Sequence, residues 1–228
     1  MNPGRATNND ALATGFKLVY ADDSLLVADK PPGLLAVPGR GEDKQDCLSS
    51  RVQARHPEAL VVHRLDMATS GLMLLTRSRA VQRTLSLAFA AREVHKRYEA
   101  VVQGRLAMPP QAEGGWAVID LPIALDWSAR PLRVIDALLG KPSTTRWQVV
   151  AYDPVTDTTR LLLEPVTGRS HQLRVHLQAL GHPILGDALY APTEIQAAAP
   201  RLLLHAQQLR LMHPVTGAAM QFVAETPF

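Results

Sequence analysis

A chain of 228 residues, 46% hydrophobic and 20% charged, has the composition of an ordinary globular protein with room for a sizeable core. No apolar run approaches the roughly 18 residues of a membrane-spanning helix, and Met1 to Thr14 lacks the apolar stretch of a secretory signal. The single cysteine, Cys47, excludes an internal disulfide or a cysteine-built zinc site, while a net charge of +3 with a pI of about 9.2 is compatible with nucleic-acid binding without establishing it.

In chain order, residues 1–15 read as a disordered lead-in and residues 16–228 as one domain, since no Gly/Ser-type linker divides the chain. Lys17 to Tyr20 and Ser24 to Asp29 are short apolar runs split by Ala21-Asp22-Asp23, the pattern of a β-hairpin. Lys30-Pro31-Pro32-Gly33 ends the second strand, because prolines cannot donate to a ladder. Asp46 is placed to cap a short helix reaching about Arg55, with Leu48 and Val52 on one face and Pro57 as its stop. Two apolar runs, Ala59 to Val62 and Leu72 to Leu75, read as buried strands on either side of a polar insert, His63 to Gly71.

Ser78 then caps a helix to about Arg92, with Val81, Leu85, Ala88 and Phe89 as its apolar stripe. Tyr98 to Val102 is a strand and Met108 to Gly115 a loop. Leu121 to Asp136, with two prolines and no regular alternation, specifies no element. Thr144 to Tyr152 and Thr159 to Val166 form a second hairpin across Asp153 to Asp157. Ser170 caps a helix whose stripe is Leu173, Leu177 and Leu180, with Gly181 just past its end. Leu202 to Met212 and Gln221 to Ala224 are closing strands joined by His213 to Gly217. Many strands and a few helices that do not alternate with them predict an α+β fold with a mixed, largely antiparallel sheet.

Several familiar sites are missing. There is no Gly-x-Gly-x-x-Gly, no Walker loop and no Gly-x-Ser-x-Gly elbow. His171 and His176 are five apart, not the i,i+4 spacing of a helical zinc pair. His182, His205 and His213 stand at element ends, where core or cap roles are expected, and no metal site is expected. What remains is a carboxylate among arginines. An ordinary aspartate has a pKa of about 3.9, so at pH 7 the carboxylate outnumbers the acid roughly a thousandfold. Asp66 therefore needs orientation more than activation to be a nucleophile. Arg169, in the turn Thr167 to Gln172, could hold it in bidentate fashion. On spacing alone an ordinary buried ion pair explains the two residues equally well. Arg77, Arg79, Arg83, Arg92, Lys96 and Arg97 fall within 21 residues with only Glu93 opposing them, which suits either a solvated basic face or an RNA-phosphate track.

The run His63 to Leu72 resembles the signature of the RluA family of pseudouridine synthases. So do Asp29-Lys30-Pro31-Pro32-Gly33-Leu34, Lys96-Arg97-Tyr98, Thr167-Gly168-Arg169-Ser170-His171-Gln172-Leu173-Arg174 and Gly181-His182-Pro183-Ile184-Leu185-Gly186-Asp187, in the family's order over nearly the whole chain. Ser170 stands where the family often has Thr, which keeps the hydroxyl. The resemblance implies an isomerase that needs no cofactor and no metal. Asp66 would be the nucleophile on the target uridine, attacking C1′ or C6, with the uracil detached, rotated and rejoined through C5. Tyr98 would stack on the base and assist proton removal, Arg169 would pair with the aspartate, Arg64 would enter the RNA stack, and Leu173 would line the pocket. His63 and Thr69 are further candidate substrate contacts, and Arg77, Arg79, Lys96 and Arg97 candidate RNA-backbone contacts. Such an enzyme must extrude its uridine from the stack at a cost of a few kcal/mol, so a folded stem-loop is the expected substrate.

The short form, with Met67-Ala68, Asp126-Trp127 before Arg130-Pro131, and Leu202-Leu203-Leu204-His205-Ala206, is similar to the family branch without an N-terminal S4-type RNA-binding domain. That likeness implies a cytoplasmic monomer without membrane partners, acting on structured RNA: a tRNA anticodon stem-loop (position 32) and a 23S rRNA stem-loop (position 746). A synthase for a single tRNA or another 23S rRNA site is the near alternative. A non-catalytic RNA-binding protein is a second, and a glycosidase or nucleosidase, which would need a second carboxylate, a third.

Overall fold

The structure, a computed structural model, describes residues 15–110 and 112–228; residues 1–14 of the expected lead-in lie outside the described residues. The strands are β1 (Lys17–Ala21), β2 (Leu25–Lys30), β3 (Leu60–Val61), β4 (Ser70–Thr76), β5 (His95–Gln103), β6 (Ala117–Asp120), β7 (Ile123–Leu125), β8 (Arg133–Ile135), β9 (Thr144–Asp153), β10 (Thr158–Pro165), β11 (Leu204–Met212) and β12 (Ala219–Val223). The α-helices are α1 (Leu48–Gln53), α2 (Arg79–Ala90), α3 (Gln172–Ala179) and α4 (Thr193–Ala197). The chain forms two compact units. One holds the described residues through Lys96 together with Ala206–Pro227, and the other holds Arg97–His205 with Phe228.

The first unit is organised around β4. All seven of its residues are buried, because both faces of the strand are covered. Successive side chains of a strand point to opposite faces. Leu72 and Leu74 accordingly pack with Leu25, Val27, Leu85 and Phe222, while Met73 and Leu75 pack with Leu26, Ala28, Leu48 and Val52. β2 lies antiparallel to β4, with Lys30 opposite Gly71. β1 pairs with β2 as the hairpin pattern predicts, and Asp22 Oδ1 closes the turn by accepting the Ser24 and Leu25 N–H groups, each at 2.7 Å. β12 pairs antiparallel with β11.

Three local expectations in this unit are corrected. The apolar run at 59–62 yields only the two half-buried residues of β3. α1 is capped by Cys47, not Asp46: the Cys47 Sγ accepts the Ser50 N–H and the Ser50 Oγ accepts the Cys47 N–H, a reciprocal box. Asp46 pairs instead with Arg51 at 2.7 Å. Ser78 does cap α2 through the Val81 N–H, but the helix ends at Ala90 and Arg92 turns into a left-handed conformation, φ 65°.

The second unit is built on the strand order β5-β10-β9-β6, antiparallel at each step, with Tyr98 opposite Leu163 and Leu163 opposite Trp147. β9 and β10 form the expected hairpin. β7 and β8 form a hairpin inside the stretch for which the sequence specified no element, and its Ile123 packs with Val175 and Tyr190. At the start of α3 the expected Ser170 cap is replaced by His171, whose backbone is left-handed at φ 58°. At its end Gly181, φ 82°, donates to Gln178 O and the His182 N–H to Leu177 O, the double bond of a Schellman motif. Leu173 and Leu177 are buried, whereas Leu180 is exposed. The α+β class and the antiparallel pairing within each unit agree with the sequence reading. Among the described residues no helix is long and apolar enough to cross a membrane.

Candidate active site

Asp66 sits, half-buried, in the loop between β3 and β4. The loop is tied down by its own backbone and by a buried cation. The Thr69 N–H donates to Asp66 O at 3.1 Å, and Gly33 N–H to Met67 O at 2.9 Å. Lys30, the last residue of β2, is 0% exposed. Its ammonium donates to Pro31 O and Leu34 O, both at 2.8 Å, and to Met67 O at 3.0 Å. A buried ammonium is tolerated only when its donors are satisfied, and here those donors join residues 31–34 to the carbonyl that follows Asp66. The Pro-Pro-Gly turn and the Asp66 loop are thus one clamped structure. Gly71 is equally constrained: its φ is 111°, and a Cβ there would meet Ala206 backbone atoms at 2.4–2.5 Å. Only glycine lets β4 start so close to that backbone.

The residues around Asp66 divide by exposure. Arg64 and Met67 face solvent, and Leu65, Thr69 and Ser70 are buried. His63, expected as a substrate contact, is bonded into the framework of the loop. Its Nε2 accepts the Leu74 N–H at 2.9 Å and its ring stacks on Phe89 with centroids 4.7 Å apart. Burial, with the nearby Lys96 charge second, pushes its pKa down to about 3, so the ring is neutral. Thr69, the other expected contact, is buried and its N–H bonds to Asp66 O.

In the second unit, Tyr98 lies half-buried on β5. Arg169 is exposed, with its Nε and Nη2 at 3.4 and 3.5 Å from Pro142 O. Its turn is held by Gln172, buried at 3% exposure. The Gln172 Oε1 accepts from the Thr167 hydroxyl (2.7 Å) and the Arg169 N–H (3.0 Å), and its Nε2 donates to Thr144 O and the Thr145 hydroxyl. All four hydrogen-bonding positions of that amide, two donors and two acceptor lobes, are engaged. Leu173, one residue on, is buried. Arg174 forms a buried bidentate pair with Asp187, at 2.7 and 2.6 Å, and Asp187 also accepts the Leu189 and Tyr190 N–H groups. Two of the motifs singled out in the sequence are therefore held to each other by this pair. Sequence reasoning missed Lys30, Gln172 and Asp187 as supports. The available signal was a polar residue inside each motif with no chemical role to explain it.

The basic segment does not act as one surface. Arg77 donates to Glu58 at 2.6 Å and to Asp22 O. Arg97 is paired with Glu164 at 2.7 Å and lies over Trp116. Lys96 is half-buried, and that burial lowers its pKa. Of the expected RNA-backbone set, Arg77 and Arg97 thus hold carboxylates, Lys96 is half-buried and Arg79 is exposed. Among the described residues no cluster of three His, Cys, Asp or Glu side chains is arranged to hold a metal ion.

The family model for RNA pseudouridylate synthase matches residues 24–179. The dual-specificity RNA pseudouridine synthase RluA of Escherichia coli (strain K12) is 48% identical over 211 residues, 92% of this chain and 93% of that protein. The RluA of Haemophilus influenzae is 43% identical over 220 residues, 96% of this chain and 97% of that one. Among solved structures, human RNA Pseudouridylate Synthase Domain Containing 1 superposes with a TM-score of 0.76 at 28% identity, covering 100% of this chain and 87% of its own. The chain belongs to the RNA pseudouridine synthase family, the isomerases that convert uridine in RNA to pseudouridine.

Proposed function

We propose that the protein acts on two structured RNAs, a tRNA anticodon stem-loop and a 23S rRNA stem-loop, as a cytoplasmic monomer. Two relatives that this chain matches along more than nine-tenths of its length carry the name dual-specificity RNA pseudouridine synthase. The observation that carries the site assignment is the Asp66 loop, clamped from below by Lys30 and bearing Arg64 on its exposed side. Asp66 is the nucleophile. An aspartate needs orientation more than activation to act as a nucleophile, and the clamp supplies that orientation. Arg64 fills the gap left when the uridine is extruded and neutralises phosphate there. Tyr98 takes the face of the base, Leu173 its apolar surround, and Arg169 directs the carboxylate. The C1′–N1 bond breaks and the uracil rotates; its C5 then bonds to C1′, the Asp66 carboxylate leaves the carbon it had attacked, and the proton lost from C5 is balanced by one gained at N1, so that substrate and product are isomers.

The test incubates the protein with unmodified tRNA and 23S rRNA transcripts and maps pseudouridine by modification-dependent primer-extension stops. Product in both transcripts is expected, and product in one alone selects the single-substrate alternative. Asp66→Asn is expected to bind RNA as the parent does and to form no product. Turnover by that variant would remove Asp66 from the role of nucleophile.

A further inference from the structure

We infer that the outer face of α2, with Arg79 and Arg83, together with Arg92 beyond its end, is a docking surface for RNA phosphates outside the loop that carries the target uridine. The inference rests on the proposed RNA substrates. All three arginines are exposed. Other arginines of the first unit show what a structural arginine does here: Arg51 pairs with Asp46, and Arg77 with Glu58. Among the described residues Arg79, Arg83 and Arg92 have no carboxylate partner, and α2 itself, RAVQRTLSLAFA, contains no acid.

The placement is unfavourable for the isolated protein. Arg79 is the first residue of the helix, where the positive end of the helix dipole repels a cation. Arg83 follows at i+4, the spacing at which like charges on a helix repel each other. Among the described residues no carboxylate pairs with either arginine, while an anionic strand laid along the helix would offset both terms. Four residues advance about 6 Å along the axis and the whole helix about 18 Å, so the two guanidiniums can reach successive parts of one backbone. Val81 and Leu85 on the opposite face are buried, which fixes the arginine face outward. The planar fork of arginine suits phosphate oxygens. Such contacts hold the RNA in place without reading its sequence.

The experiment measures binding of the full chain to an unmodified tRNA transcript between 50 and 200 mM salt. Each lost phosphate contact lowers the slope of log K against log salt by about 0.7–0.9. The triple variant Arg79→Gln, Arg83→Gln, Arg92→Gln is expected to lose about 2.1–2.7 units of slope, so its affinity falls roughly 20- to 40-fold less over that range than the parent's. Arg79→Gln alone is expected to lose about one unit, which keeps the test usable if the triple variant folds poorly. Its thermal midpoint at low salt is expected to equal or exceed the parent's, because a repulsion is removed. Arg51→Gln, which removes an arginine paired with Asp46, is expected to leave the slope unchanged. Unaltered slopes in the α2 variants, or an equal loss in Arg51→Gln, would overturn the inference. Failure of the parent to form pseudouridine in tRNA would overturn the proposed substrate and leave the binding result to be read by itself.

Discussion

Replacing Lys30 by Met tests whether the buried ammonium holds the Asp66 loop. The two side chains are similar in length, so the substitution leaves little cavity and removes chiefly the charge and its hydrogen bonds. Three carbonyls lose a donor: Pro31 O, Leu34 O and Met67 O. Met67 O retains the Gly33 N–H at 2.9 Å, so two losses dominate. An unsatisfied buried carbonyl costs about 1–3 kcal/mol, or about 2–6 kcal/mol for the two. The thioether is easier to bury than an ammonium, whose desolvation costs several kcal/mol, and this offsets part of the loss. A net destabilisation of about 2–4 kcal/mol is expected, a large share of the roughly 5–15 kcal/mol that stabilises a typical domain. Urea titration followed by circular dichroism measures it as a lower midpoint. Under conditions where the variant is folded, single-turnover kinetics are expected to show a slower chemical step, because Met67 adjoins Asp66 and a loosened loop misplaces the carboxylate. A midpoint within about 1 kcal/mol of the parent's, together with an unchanged chemical step, would refute the clamp.

Two further predictions concern neighbours of Asp66. The folded state holds His63 neutral with a pKa of about 3, against about 6.5 in an unfolded chain. The unfolded chain therefore takes up a proton that the folded ring refuses. The resulting stability is complete above about pH 6.5 and is lost as the pH falls toward 3, at up to about 1.4 kcal/mol per unit. His63→Gln, which can still accept the Leu74 N–H, is expected to flatten this dependence in urea titrations at pH 7, 6 and 5, and parallel curves for the two proteins would contradict it. Arg64→Ala is expected to slow turnover on stem-loop RNA more than on a single-stranded oligonucleotide, because the unstacking it assists is absent from the latter. Equal slowing on both would argue against a role in base extrusion.

Local pattern was enough where one residue type sets the outcome. The unbroken apolar run of β4, the Asx turn at Asp22, the Ser78 cap and the Gly181 helix stop follow from short-range chemistry. The motif residues and their spacing were sufficient for the family and for Asp66 as candidate nucleophile, since motif chemistry is carried by residue identity. The choice of Cys47 over Asp46 as a cap was not legible. Both side chains can accept a backbone bond, and the path of the chain decides which one meets it. β6, β7 and β8 were hidden because each is three or four residues long and is stabilised by partners outside itself.

The distinction is sharpest among the cations. The sequence by itself determined how many there are and that they cluster between Arg77 and Arg97. It could not separate them, because their partners are remote: Glu58 is 19 residues from Arg77, and Glu164 is 67 from Arg97. Only tertiary structure brought those carboxylates in and left Arg79, Arg83 and Arg92 exposed. It also decided the role of Lys30, a surface residue by composition. The 37 residues separating it from Met67 close only when β2 and β4 pair, and burial then turns a solvated charge into the support of the Asp66 loop.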